Sequence, residues 1–93
     1  MEEYEAGKLF VGNLPWAASE SDLRELLERF GGAKRATVVI DDATGRSKGY
    51  GFVEMQDASQ LPRAIEALNG SDLQGRRLIV DRAKARSGGR NRR

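Results

Sequence analysis

The run Lys48-Gly49-Tyr50-Gly51-Phe52-Val53-Glu54-Met55 constrains this chain more than any other segment. Side chains in a strand alternate between two faces. Tyr50 and Phe52 therefore share a face with Lys48 and Glu54, while Gly49, Gly51, Val53 and Met55 share the other. An ordinary half-buried strand puts its aromatics with its aliphatics against the core. Here the two kinds are separated, and two glycines lie among the aliphatics. If Val53 and Met55 face the core, two flat rings are left toward water beside a lysine. Exposed rings next to positive charge form a surface on which unstacked nucleobases bind.

A second run, Lys8-Leu9-Phe10-Val11-Gly12-Asn13-Leu14, alternates in the same way. Leu9 and Val11 fall on one face, and Lys8, Phe10 and Gly12 on the other. Gly12 adds no side chain beside Phe10, so the surface there stays flat. Paired side by side, the two strands would join Phe10, Tyr50 and Phe52 into one platform.

These residues carry a resemblance. The first run resembles the eight-residue motif, and the second the six-residue motif, of the RNA recognition motif family. Seven of eight positions fit the longer pattern; the departure is Met55, where Phe or Tyr is usual. Met55 falls on the core side, where methionine fills irregular gaps. The resemblance runs from Lys8 to about Arg86. It implies a ferredoxin-like α+β fold, with a four-stranded antiparallel sheet, two helices on one face, and strands one and three in the centre. It also implies that Lys48, which opens the octapeptide, contacts the nucleic-acid backbone. Residues after the last strand often contact RNA in this family, which points to Lys84 and Arg86.

Composition narrows the chemistry. The chain has 93 residues, enough for one domain. It contains no cysteine and no histidine. That removes disulfides, thiolate nucleophiles, the commonest general base and most zinc sites. No stretch approaches the apolar length of a membrane span, and the acidic start Met1-Glu2-Glu3 lacks a signal-peptide pattern. The net charge of +2 conceals an asymmetry. Arg82, Lys84, Arg86, Arg90, Arg92 and Arg93 place six positive charges in the last twelve residues, and taking six from +2 leaves residues 1–81 at −4.

The rest of the chain reads as strand, helix, strand, strand, helix, strand. Residues 1–7 are expected to be a disordered lead-in, 8–84 the folded domain and 85–93 a basic disordered tail, too poor in apolar residues to fold alone. Ser19 reads as a helix N-cap with Asp22 in the capping-box position. Leu23, Leu26, Leu27 and Phe30 then form one apolar stripe, closed by Gly31-Gly32. Strand two spans about Lys34–Asp41. Its inward set is Ala36, Val38 and Ile40, which leaves Arg35, Thr37 and Val39 on the aromatic side. The second helix starts near Asp57 or Ser59; the later start is favoured because it puts Pro62 in the first turn, where its missing N–H costs little. Its stripe is Leu61, Ala64, Ile65 and Leu68. Ser71–Arg76 reads as a loop and about Arg77–Asp81 as strand four, with Leu78 and Val80 inward. Trp16 reads as a packing anchor of the first loop.

The expected function is binding of single-stranded RNA, with no cofactor, no metal, no small-molecule substrate and no catalysis. Phe10, Tyr50 and Phe52 would stack on bases, and Lys8, Arg35, Arg46 and Lys48 would meet phosphates. Lys84, Arg86 and nearby backbone groups would read base edges, and Asn13, at the end of the first motif, completes the candidate set. Asp41, Glu54 and Asp81 would repel phosphate but could accept hydrogen bonds from base amino groups. Single-stranded DNA stays open, because stacking tolerates either sugar. The chain is expected to be a cytoplasmic monomer, resembling small bacterial or organellar members of the family that act as RNA chaperones, stabilisers or regulators. Two rivals share the fold: a protein-interaction module using the helical face, and a ferredoxin-like enzyme.

Overall fold

A computed structural model describes residues 4–84. In chain order these form β1 (Tyr4–Gly12), α1 (Glu20–Leu26), β2 (Ala33–Ile40), β3 (Ser47–Met55) and α2 (Leu61–Leu68). A short hairpin of β4 (Asp72–Leu73) and β5 (Arg76–Arg77) follows, and then β6 (Ile79–Lys84). The main sheet has the order β2-β3-β1-β6, with every neighbouring pair antiparallel. The two motif-bearing strands, β1 and β3, are therefore central and paired, as the ferredoxin-like arrangement requires.

The alternation in each central strand decides which face is covered. Leu9, Val11, Val53 and Met55 are buried together with Leu23, Leu27 and Phe30 after the first loop, and with Leu61, Ala64 and Leu68 of α2. Leu78 and Val80 close the same core. Gly51 belongs to this side. A Cβ added there would come within 2.3 Å of the Thr37 carbonyl oxygen and 3.2 Å of Leu23. Glycine is thus what lets β2, β3 and α1 approach so closely.

The helix starts show local chemistry setting the boundaries. The Ser19 hydroxyl accepts from the Asp22 N–H at 3.3 Å, and the Ser19 N–H donates to Asp22 Oδ2 at 2.8 Å, a reciprocal capping box. After α1 the stripe continues through a 3₁₀ turn, Glu28–Phe30, which ends at Gly31 with φ +94°. At the second helix the capping side chain is Asp57, not Ser59. Its Oδ1 accepts from the Ser59 N–H at 3.0 Å and heads a 3₁₀ turn, Ala58–Gln60. α2 proper begins at Leu61, so Pro62 does fall in the first turn. At the other end Asn69 Oδ1 accepts from the Val80 N–H at 3.0 Å, tying α2 to β6.

Four segments differ from expectation. Tyr4–Gly7 are strand rather than lead-in, with Tyr4 opposite Lys84 across β1–β6. Ser71–Arg76 holds the β4–β5 hairpin, turning through Gln74 and Gly75, both at positive φ. Strand four lies later, at Ile79–Lys84. Ile40, inward by strict alternation, is 47% exposed. The β2–β3 register shifts between Val38 and Ile40, and that irregularity ends the strict alternation. The lead-in residues Met1–Glu3 and the tail 85–93 lie outside the described residues.

Candidate nucleic-acid interface

The open face of the sheet is built around three rings. Phe10 and Phe52 are direct cross-strand partners, and Tyr50 lies opposite Gly12. Ring centroids are 5.8 Å apart for Phe10–Tyr50, 5.9 Å for Phe10–Phe52 and 6.1 Å for Tyr50–Phe52. Every pair touches, with interplanar angles from 36° to 90°, so each ring steadies the other two in tilted or edge contacts. All three are only half-buried. Gly12 permits this layout by leaving space. A Cβ there would sit 2.8 Å from the Phe10 ring, which leans over the bare backbone. Exposed Ile79, opposite Gly12 in the register, flanks the same spot.

Charge surrounds the rings. Lys8 Nζ lies 5.3 Å from the Phe52 centroid, a cation–π contact, and 3.5 Å from the Glu5 carboxylate. Arg35 is largely exposed and reaches Glu54 at 3.8 Å. Lys8, Arg35, Thr37, Phe52 and Glu54 line a shallow pocket of about 170 Å³ on the β2 side of the rings. A second depression of about 330 Å³ lies on the β6 side, lined by Phe10, Phe52, Asp81, Arg82 and Lys84. Lys48 is exposed at the entry to β3. Gly49 follows it at φ +87°, a left-handed turn that only glycine makes without strain.

The structure thus gathers Lys8, Phe10, Arg35, Tyr50, Phe52 and Lys84 around one surface. Asn13 has a different occupation. Its backbone is left-handed at φ +58°, its amide donates to the Arg77 carbonyl at 2.7 Å, and both its backbone and side-chain oxygens accept from the Arg76 guanidinium. It fastens the β4–β5 hairpin to the end of β1. Arg46 lines a separate hollow of about 430 Å³ near the start of α1, with Trp16, Val38 and Ile40. Trp16 is 74% exposed there, so it is not the packing anchor expected of it. Arg86 lies outside the described residues. Arg82 joins this surface without a signal in the strand pattern. Strict alternation would turn it toward the core opposite Leu9, yet it is exposed and lines the β6-side depression. The β1–β6 register shift signals the irregularity, and no residue type in the sequence marks it.

Among the described residues no group of three or more His, Cys, Asp or Glu side chains could hold a metal ion. Asp22 and Asp57 are the carboxyls held below their ordinary values, by the Ser19 N–H and the Ser59 hydroxyl respectively. Both serve helix starts and neither lies on the open face.

Comparison with known proteins places this surface in context. The family model for the RNA recognition motif matches residues 9–79. A glycine-rich RNA-binding protein of Daucus carota is 39% identical over 82 residues, covering 88% of this chain and 52% of its own length. The chain spans about half the length of such curated relatives. Among solved structures, an RNA-binding protein called PG1 is 47% identical with a TM-score of 0.77, over 82% of this chain and 92% of that one. A Sxl-lethal protein/RNA complex is 31% identical with a TM-score of 0.79, over 87% of this chain and 48% of that one. With the motif strands central and paired, and the family match spanning both of them and both helices, the chain belongs to the RNA recognition motif family.

Proposed function

We propose that the open sheet face binds single-stranded RNA, with Phe10, Tyr50 and Phe52 as the stacking platform. The observation that carries this reading is the phase of the two central strands: three touching rings stand outside a core that their aliphatic neighbours complete. A base stacked on an aromatic side chain contributes roughly 1–3 kcal/mol. Two or three bases would then supply roughly 2–9 kcal/mol, enough for weak to micromolar binding before charge is counted. Lys8 and Arg35 border the rings and, with Lys48 at the entry to β3, would hold phosphates and fix the strand without reading its sequence. Lys84, on the β6 side, would reach base edges. Arg86 and the basic residues after it would follow the backbone in a salt-dependent way.

The reading asks for positioning and stacking only, with no bond broken and no cofactor. The chain would act as a monomer in RNA stabilisation, chaperoning or regulation. The proposed compartment is the cytoplasm or, since relatives include chloroplastic and mitochondrial proteins, an organelle interior. No helix among the described residues is long and apolar enough to cross a membrane. Affinity of Phe52→Ala for a short single-stranded RNA tests the proposal. A loss of roughly 1–3 kcal/mol with an unchanged fold is expected. Unchanged affinity in a folded variant would contradict it and return attention to the helical face as a protein-docking surface.

A further inference from the structure

The two carboxylates near the rings are in different electrostatic states. Glu54 is matched by cations: Arg35 lies 3.8 Å away and Lys8 is its cross-strand partner. Asp81, the cross-strand partner of Phe10, has no ion pair among the described residues. Its Oδ1 accepts one hydrogen bond, from the Arg82 backbone N–H at 2.7 Å. An unneutralised carboxylate on a phosphate-binding surface raises the cost of every nearby phosphate. It can favour binding only by meeting a hydrogen-bond donor, and a stacked base carries donors on its edge.

We propose that the depression lined by Phe10, Phe52, Asp81, Arg82 and Lys84 is a guanine-selective base pocket, with the Asp81 carboxylate reading the Watson–Crick edge. This rests on the reading of the platform as the RNA site. A carboxylate offers two oxygens with about four acceptor positions, and the Arg82 N–H occupies one. Guanine presents an imino N–H and an amino N–H side by side, which match the two oxygens of one carboxylate. Adenine and cytosine set a single amino group beside a ring-nitrogen lone pair that repels the carboxylate. Uracil sets its one N–H between two carbonyls. Phe10 supplies the stacking surface, while the Arg82 and Lys84 charges, lining the same depression, offset the repulsion between Asp81 and the flanking phosphates.

The test measures binding of the full 93-residue chain to uridine hexamers carrying one central guanine, inosine, adenine, cytosine or uracil. Inosine keeps the imino N–H and lacks the amino group. The guanine hexamer should bind about tenfold or more tighter than the inosine and all-uridine ones, the discrimination of a good bidentate pair. Asp81→Asn and Asp81→Ala should abolish that ratio while binding the all-uridine hexamer at least as well as the parent does. A guanine-over-inosine ratio unchanged in both variants, or absent from the parent, overturns the inference. If Phe52→Ala still weakens every hexamer in that case, the platform stands and only the pocket fails. If no hexamer binds the parent, the platform reading falls and takes the pocket with it.

Discussion

The two faces of the central sheet are made by the same residues' neighbours, one position apart. On the covered face Leu9 and Val53 are wholly buried. On the open face Phe10 and Phe52, each the next or previous residue, are half-buried and touch each other's rings. The covered face obeys the ordinary rule that burying apolar area stabilises the fold. The open face leaves large rings partly wetted, forgoing part of that gain, and keeps them flat by placing Gly12 beside Phe10. In the proposed reading, stability and ligand binding fall to opposite phases of one alternation, and substitutions should separate them.

The largest effect is expected on the covered face. Leu9→Ala should lower unfolding free energy by about 2–5 kcal/mol, the cost of a large-to-small change in a packed core, measured by chemical denaturation. Gly51→Ala should cost about 1–3 kcal/mol by overpacking, because the new methyl group meets the Thr37 carbonyl and not a yielding side chain. Phe10→Ala, next to Leu9 in the chain, should show the opposite profile: RNA affinity lower by roughly 1–3 kcal/mol in titration, with a loss of stability well below that of Leu9→Ala. Equal stability losses for Leu9→Ala and Phe10→Ala would erase the distinction between the faces.

Two smaller effects lie away from both faces. Ser19→Ala should cost about 1 kcal/mol of stability by removing the helix cap, with RNA affinity preserved. Asp22 and Asp57 sit below their ordinary pKa in the folded chain, through the Ser19 N–H and the Ser59 hydroxyl. Their contribution is complete at neutral pH and lost as pH falls through those lowered values. The drop in melting temperature on acidification should therefore be shallower in Asp22→Asn.

How much of this was legible in the sequence depended on the range of the signal. The capping box at Ser19 and Asp22, and the place of Pro62, are written in residues within one turn of each other. The platform is written in strands long enough for alternation to be read twice, in Leu9–Gly12 and in Tyr50–Met55. Illegible features arise where the period breaks. Ile40 turns outward after the β2–β3 register shift, and Arg82 is exposed just before the β1–β6 shift. The two-residue strands β4 and β5 are too short to carry a period. A large aromatic in a loop usually packs, and nothing local to Trp16 shows that its neighbours leave it 74% exposed. From the sequence Asn13 is a candidate ligand contact. Its bonds to Arg76 and Arg77 span more than sixty residues of chain and appear only once the hairpin is folded.

The central claim is that the wetted ring face is the binding face. A titration of isotope-labelled protein with short single-stranded RNA, following backbone amide shifts at low and moderate salt, tests it most directly. Shifts centred on β1 and β3 around Phe10, Tyr50 and Phe52, persisting at moderate salt, are the predicted result. Shifts confined to α1 and α2, or to the basic residues after Lys84 and vanishing with salt, would contradict it.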